Sequence, residues 1–252
     1  MARRATLIGQ VRAENDRILV LDAGNALVGD REPAITSRGR SSIAAMDTLG
    51  YDAMALGLQD LTLLSLHDVE MAMVEAHFAV LSANAVVSAT GALLADPYVI
   101  LERGGMSIGI LGLTEPGEAA EVRVEDPREA ARRYLPEVAE RADVVVLLSH
   151  AGLDVDRAIA EEFPAVDLVV SGAGPALGPA GMAGNALHLT PDVPSPGYDG
   201  ARVGVAELTF SRRGALVDHT WRKAVLGPEI AEDPDVAGWV AGAFQEYLYG
   251  TP

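Results

Sequence analysis

The chain has 252 residues, 49% of them hydrophobic and 22% charged, which places it among ordinary globular sequences and excludes collagen, coiled coil and wholesale disorder. Asp and Glu outnumber Lys and Arg by 36 to 19, a formal charge of −17, and a surface of that sign repels phosphate backbones, so nucleic acid is not an expected partner. The absence of cysteine removes disulfides, thiolate metal ligands and cysteine nucleophiles together. No apolar run reaches the length of a membrane span, and Met1 to Thr6 do not read as the apolar core of a signal peptide.

In chain order, Ala5, Leu7, Ile8 and Val11 are spaced for one face of a helix over residues 2–14. Residues 18–21 form a β-rich run, followed by a loop over 22–30. A helix is expected over 41–49 with Gly50 as its stop, and a buried strand over 52–56 ending at Gly57. Residues 67–77 read as helix and 78–82 as strand. A hairpin follows over 98–102 and 106–111, turning at Gly104 and Gly105. Helix is expected over 126–141, an uninterrupted apolar strand over 144–148, helix over 155–162 and strand over 168–170. The stretch 172–200, rich in Gly, Pro and Ala, reads as a long loop around 186–189, and 202–225 is β-rich. Val236, Trp239, Val240, Phe244, Tyr247 and Leu248 are spaced for a carboxyl-terminal helix over 233–249. Strands alternating with helices, plus a hairpin, predict an α/β domain with mixed sheets, taken as a single domain over 1–252 for want of a repeat or a linker.

Generic motifs fail on their chemistry. The Gly24 to Gly29 spacing is that of a phosphate-binding loop, but Asp30 and Arg31 stand where Lys and Ser or Thr are needed. Gly172-Ala173-Gly174 is followed by Gly178, one residue late for a dinucleotide site. Neither a GxSxG elbow nor an HExxH pair occurs. Of the five histidines, His67 and His77 read as surface or helix-end residues, too far apart on a helix to share a cation. His150 directly follows an apolar strand, where open α/β sheets place their sites.

Several ordered segments resemble one family. Ala2 to Ile8, Leu19-Val20-Leu21-Asp22-Ala23-Gly24-Asn25 and Gly50 to Gly57 are followed by Leu81-Ser82-Ala83-Asn84, Pro97 to Ile100, Ile108 to Thr114 and Val146 to Leu153. In this order they are similar to the catalytic domain of calcineurin-like metallophosphoesterases, in the branch of 5′-nucleotidases and UDP-sugar hydrolases. The resemblance implies a four-layer α-β-β-α sandwich and, in active members, two divalent cations clamping a phosphate. It places the bridging carboxylate at Asn25, the Asn and His of the GNHE motif at Leu58 and Gln59, with Asp60 in the Glu position. A strand-end His falls at His150, and the two His of a GHSH motif at Ala173 and Pro175.

One histidine without a bridging carboxylate does not assemble a two-metal centre, so the expectation is a degenerate, non-catalytic domain without cofactor. It would serve as a binding or assembly module, with Asp22, Asn25, Gln59, Asp60, Asn84 and His150 as its ligand-binding candidates. Candidate partners are a protein, a second copy, or a small phosphorylated ligand. The alternative is an active phosphomonoesterase or 5′-nucleotidase in which Asp22, Asp60 and His150, with Asp30, hold an altered Mn²⁺, Zn²⁺ or Mg²⁺ site. The simpler readings are a turn residue for Asp22 and solvated loop acids for Asp30 and Asp60; an Asn after a strand, such as Asn84, is also an ordinary turn former. The family's first strand, ending in Asp-x-His, has no counterpart here. Its absence leaves an interior sheet edge open unless an upstream segment precedes Met1 or another element closes it. With an upstream segment, the resemblance implies a periplasmic or extracellular location.

Overall fold

The computed structural model describes residues 1–29, 31–173, 181–190, 201–211 and 214–249. The elements run α1 (Ala2–Glu14), β1 (Leu21–Asp22), α2 (Arg40–Leu49), β2 (Ala53–Ala55), α3 (Leu58–Leu63), α4 (Leu66–Glu75), β3 (Ala79–Leu81), β4 (Ala85–Val87), β5 (Tyr98–Arg103), β6 (Met106–Leu113), β7 (Gly117–Glu118) and β8 (Val122–Val124), then α5 (Pro127–Arg141), β9 (Val144–Ser149), α6 (Leu153–Glu162), β10 (Leu168–Ser171), β11 (Gly181–Ala183), β12 (Ala186–Leu189), β13 (Arg202–Phe210), β14 (Leu216–Val225) and α7 (Pro234–Tyr249).

Local chemistry sets several of these bounds. Gly50 stops α2 in the left-handed region at φ 67°, the Ser65 hydroxyl accepts from the Asp68 N–H at the start of α4, and Asp126 accepts from the Arg128 N–H ahead of Pro127 in α5. Of the β-rich run 18–21, only Leu21–Asp22 pairs as a strand, and the helix read over 67–77 ends at Glu75, leaving His77 beyond it. Within the expected loop 172–200, β11 and β12 form an antiparallel pair. Residues 174–180 and 191–200, with Asp30 and Pro175, lie outside the described residues. Short α3, β4, β7 and β8 carry too few residues for a periodic signal and were not read from sequence.

The main sheet is mixed and six-stranded, in the order β11-β12-β10-β9-β6-β5, with a parallel centre and antiparallel edges. A second sheet, β1-β2-β3, is parallel. The strand period of two sorts their side chains between layers. Ala53, Ala55 and Leu81 of the smaller sheet meet Ile110, Val144, Val146, Leu148, Leu168 and Leu187 of the larger one. On the outer face of the large sheet, Leu111, Leu113, Val145, Leu147 and Val169 pack under α5 and α6. On the outer face of the small sheet, Met54 and Val80 pack with Ile43, Met46, Leu61 and Val69 of α2, α3 and α4. The result is the four-layer α-β-β-α sandwich. All six residues of β9 are buried, as a central strand covered on both faces requires.

β1 ends its sheet, and β13 pairs only with β14, so each has one edge without a strand among the described residues. β1 and β13 both line a cavity of about 1860 Å³, whose lining also includes Arg17, Arg103, Asn25 and His150. The interior edge expected from the missing first strand is therefore open among the described residues. Helix α7 packs beside α1 and α2; its Val236 and Ala243 are buried, and Trp239 and Phe244 also line the cavity.

The two sheets approach closely at Gly112 on β6, where an added Cβ would stand 2.4 Å from the Leu81 Cβ and 2.8 Å from its carbonyl carbon. Backbone cannot yield there as a side-chain tip does. Gly112→Ala is expected to destabilise the protein by about 1–3 kcal/mol, the usual range for an overpacked core. Urea unfolding checks this, and an unchanged midpoint would contradict the close approach.

Candidate functional site

The carboxyl ends of the parallel strands converge, as they do where open α/β sheets hold their sites. The His150 N–H donates to the Leu113 carbonyl, and the Gly172 N–H to the Ser149 carbonyl, so the ends of β6, β9 and β10 are tied together. After β1 the chain turns through Asp22, whose Oδ1 accepts the Gly24 N–H at 3.0 Å. Asn25 then takes up the left-handed region at φ 58°, a conformation that Asn tolerates better than most residues.

Asn25 and His150 form one hydrogen-bonded pair. The Asn25 Oδ1 accepts the Gln59 N–H at 3.0 Å, which fixes the orientation of the amide. Its Nδ2 is therefore turned toward the His150 Nε2, 2.8 Å away, and donates to it. That makes Nε2 an acceptor and puts the ring proton on Nδ1, which donates to the Ala23 carbonyl at 2.8 Å. The ring is thus held by one donor and one acceptor, with its proton on Nδ1. Gly172 leaves room for it: a Cβ there would stand 2.7 Å from Nδ1 and 2.4 Å from the Ala23 carbonyl oxygen.

Beneath this pair lie two buried carboxyl groups. Asp60 is fully buried in α3, and its oxygens accept the N–H groups of Gly57, Asn25 and Leu27 at 2.9–3.0 Å. This corrects the reading of Asp60 as a solvated loop acid; from the first turn of a short helix it caps the Gly57 N–H and holds two amides of the loop after β1. Burial pushes its carboxyl up to about 6, with the three amide donors pulling the other way. Asp156 is likewise fully buried and accepts the hydroxyls of Ser149 and Ser171; burial raises it to about 6 against those two bonds. Burial also raises Asp22, opposed by the Gly24 N–H and then by Arg4.

Of the candidates read from sequence, Asp22, Asn25, Gln59 and His150 line the same cavity, and Asp60 supports them from below. Asn84 does not join them through its amide. It is buried, its Nδ2 donates to the Thr114 and Glu125 carbonyls, and its Oδ1 accepts the Thr114 N–H, so its side chain ties β4 to the segment after β6. Sequence reasoning missed Asp156, Ser149 and Ser171. A buried Asp facing two hydroxyls has no local signature, although Ser149 sits in the strand-end motif that singled out His150. Among the described residues, no group of three or more His, Asp and Glu side chains is placed to hold a metal ion.

Two measurements follow from this geometry. Asn25→Asp sets a carboxylate against the acceptor nitrogen of His150, which must then become a donor. The ¹⁵N chemical shift of the His150 Nε2 is expected to move from that of an acceptor to that of a donor nitrogen, and an unmoved shift would contradict the pairing. Asp156 keeps its proton in the folded state up to about pH 6, whereas the unfolded chain releases it near 3.8. Its contribution to stability is therefore full below about pH 4 and is lost as pH rises through 6. Asp156→Asn is expected to remove up to about 3 kcal/mol of that pH dependence, visible as a flatter curve of Tm against pH between 4 and 6.5.

No protein-family model matches the chain. Among curated proteins, snake venom 5′-nucleotidase of Naja atra is 30% identical over 94% of this chain and 49% of its own length. The 5′-nucleotidase of Vibrio cholerae is 30% identical over 68% of this chain and 35% of its own. The chain spans less than half the length of the curated relatives it matches. Among solved structures, a 5′-nucleotidase precursor from Thermus thermophilus superposes with a TM-score of 0.80 at 28% identity, over 98% of this chain and 53% of that one. The Thermus thermophilus sulfate thiohydrolase SoxB, at 22% identity and a TM-score of 0.85, shares the fold over 98% of this chain and 47% of its own. With its motifs, its four layers and these relatives in agreement, the chain belongs to the metallophosphoesterases, in their 5′-nucleotidase branch.

Proposed function

We propose that this chain is a non-catalytic member of its family, a metallophosphoesterase domain that binds or assembles rather than hydrolyses. The observation that carries this reading is the hydrogen bond from Asn25 to His150. By the resemblance of the motifs, position 25 is that of a carboxylate bridging two cations and His150 that of a ligand. Here a neutral amide stands at the first position and points an N–H at the one imidazole nitrogen free to face a cation. A donor aimed at a ligand nitrogen occupies the lone pair a metal would use.

The rest of the donor set supports the same reading. Leu58 and Ala173 carry no donor atom where the family motifs have Asn and His. Asp60 has given its oxygens to three backbone amides. Asp22 holds the Gly24 N–H on its Oδ1, and its one carboxylate does not neutralise a pair of divalent cations. The residues present do not fit a two-metal centre, and no hydrolytic step is derived through one.

Elemental mass spectrometry of the purified protein after incubation with Mn²⁺, Zn²⁺ and Mg²⁺, paired with turnover of p-nitrophenyl phosphate and AMP, tests the proposal. Well under one equivalent of metal, with turnover no faster than in buffer, is the expected result. Two equivalents with metal-dependent turnover would overturn it and establish a hydrolase with an altered ligand set.

A further inference from the structure

Strand β12 and the residue after it hold two polar side chains that the fold buries without a partner. Side chains here alternate between layers: Leu187 and Leu189 join the core between the sheets, and Ala186 joins the core under α5 and α6, so His188 and Thr190 face the helices as well. His188 is 2% exposed and Thr190 3%, and neither the His188 Nε2 nor the Thr190 Oγ1 has a hydrogen-bond partner among the described residues. Such atoms are uncommon in folded proteins, because each gives up its bonds to water for nothing in return.

The neighbouring strands show why no partner is left. Ser149 of β9 and Ser171 of β10 lie on this same face, and their hydroxyls take up both oxygens of Asp156 on α6. Thr190 follows Leu189, the partner of Val170, as Ser171 follows Val170, so it stands next in that row. Gly181, directly across from His188 on β11, has no side chain to offer.

Nor do the charged groups around His188 supply a counter-charge. β10, β11 and β12 contain no other ionisable residue. On α6, Asp154, Glu161 and Glu162 are exposed, Asp156 is occupied by the two serines, and Arg157 carries the same sign that a proton would bring to the ring. Burial, and then Arg157, push the imidazole down to about 4. The β11–β12 pair also ends the large sheet, with β11 joined to β12 alone among the described residues and over only three residue pairs. A short end pair is the part of a sheet that opens at least cost.

We propose that the β11–β12 pair is an acid-released flap, shut while the His188 ring is neutral and opened when the ring takes a proton. In the shut state the imidazolium is a buried charge with no carboxylate to balance it; in the open state water solvates it, together with the Thr190 hydroxyl. The flap is held at full strength above about pH 6.5 and loses that hold as pH falls toward 4. The gap between 6.5 and about 4 amounts to about 300-fold on the opening equilibrium, of which about 20-fold falls between pH 7 and 5. Opening uncovers the edge of β10, the strand that leads into Gly172 behind the His150 ring. The inference goes beyond the non-catalytic reading and does not rest on it, because no residue of the strand-end site takes part in the trigger.

Native-state hydrogen exchange of the full chain, expressed as protection factors so that the intrinsic pH dependence of exchange is removed, tests the flap. Protection over 181–183 and 187–189 is expected to fall about 20-fold between pH 7 and 5, while that over 145–148 on β9 does not fall. His188→Gln and His188→Leu remove the titrating ring, and each is expected to level the pH profile of these amides whatever its protection at pH 7. In the parent chain the His188 ring, followed by NMR, is expected to titrate below pH 5.

A flat profile in the parent chain, the same fall in either His188 variant, or a ring that titrates at its ordinary 6.5 overturns the trigger. A parallel loss over 145–148 overturns the flap, because the whole domain would then be opening.

Discussion

The stacking of two sheets on small residues is the constraint from which the rest of this molecule follows. Gly112, Ala53 and Ala55 let the parallel sheet approach the large one, and that approach sets the ends of β1, β6, β9 and β10 around one point. A bulkier residue at any of these positions would separate the layers and, with them, Asp22 from His150. The site is thus a product of core packing and not of its own loops. Its geometry survives wherever the sheet contact survives, whether or not the side chains at the strand ends still do chemistry.

At position 25 an amide stands where the family motif has a carboxylate. An amide in place of a carboxylate conserves shape but exchanges an anionic acceptor for a neutral group with two donors. In this fold the exchange is absorbed locally: one end of Asn25 is held by the Gln59 amide, the other satisfies the histidine. Asp60 and Asp156 are raised to about 6 and are saturated by backbone or hydroxyl donors. The strand-end site is held together by hydrogen bonds of the kind that stabilise a core.

The sequence alone determined the central strands and the place of His150 at a strand end, which are written in local periodicity, and through the resemblance of its motifs it implied the layer order: the apolar run 144–148, the buried strand over 52–56, the strand-end Ser149-His150. Boundaries moved where pairing, not propensity, decides, as at 18–20, which is extended yet unpaired, and at the short β4, β7 and β8. Only the tertiary structure decided the roles of polar side chains. Asp60 reads as a loop acid until three amides are seen to converge on it, and Asn84 reads as a site residue until its amide is found spent on Thr114 and Glu125. A side chain's burial and its hydrogen-bond partners come from residues distant along the chain, and no local pattern encodes them.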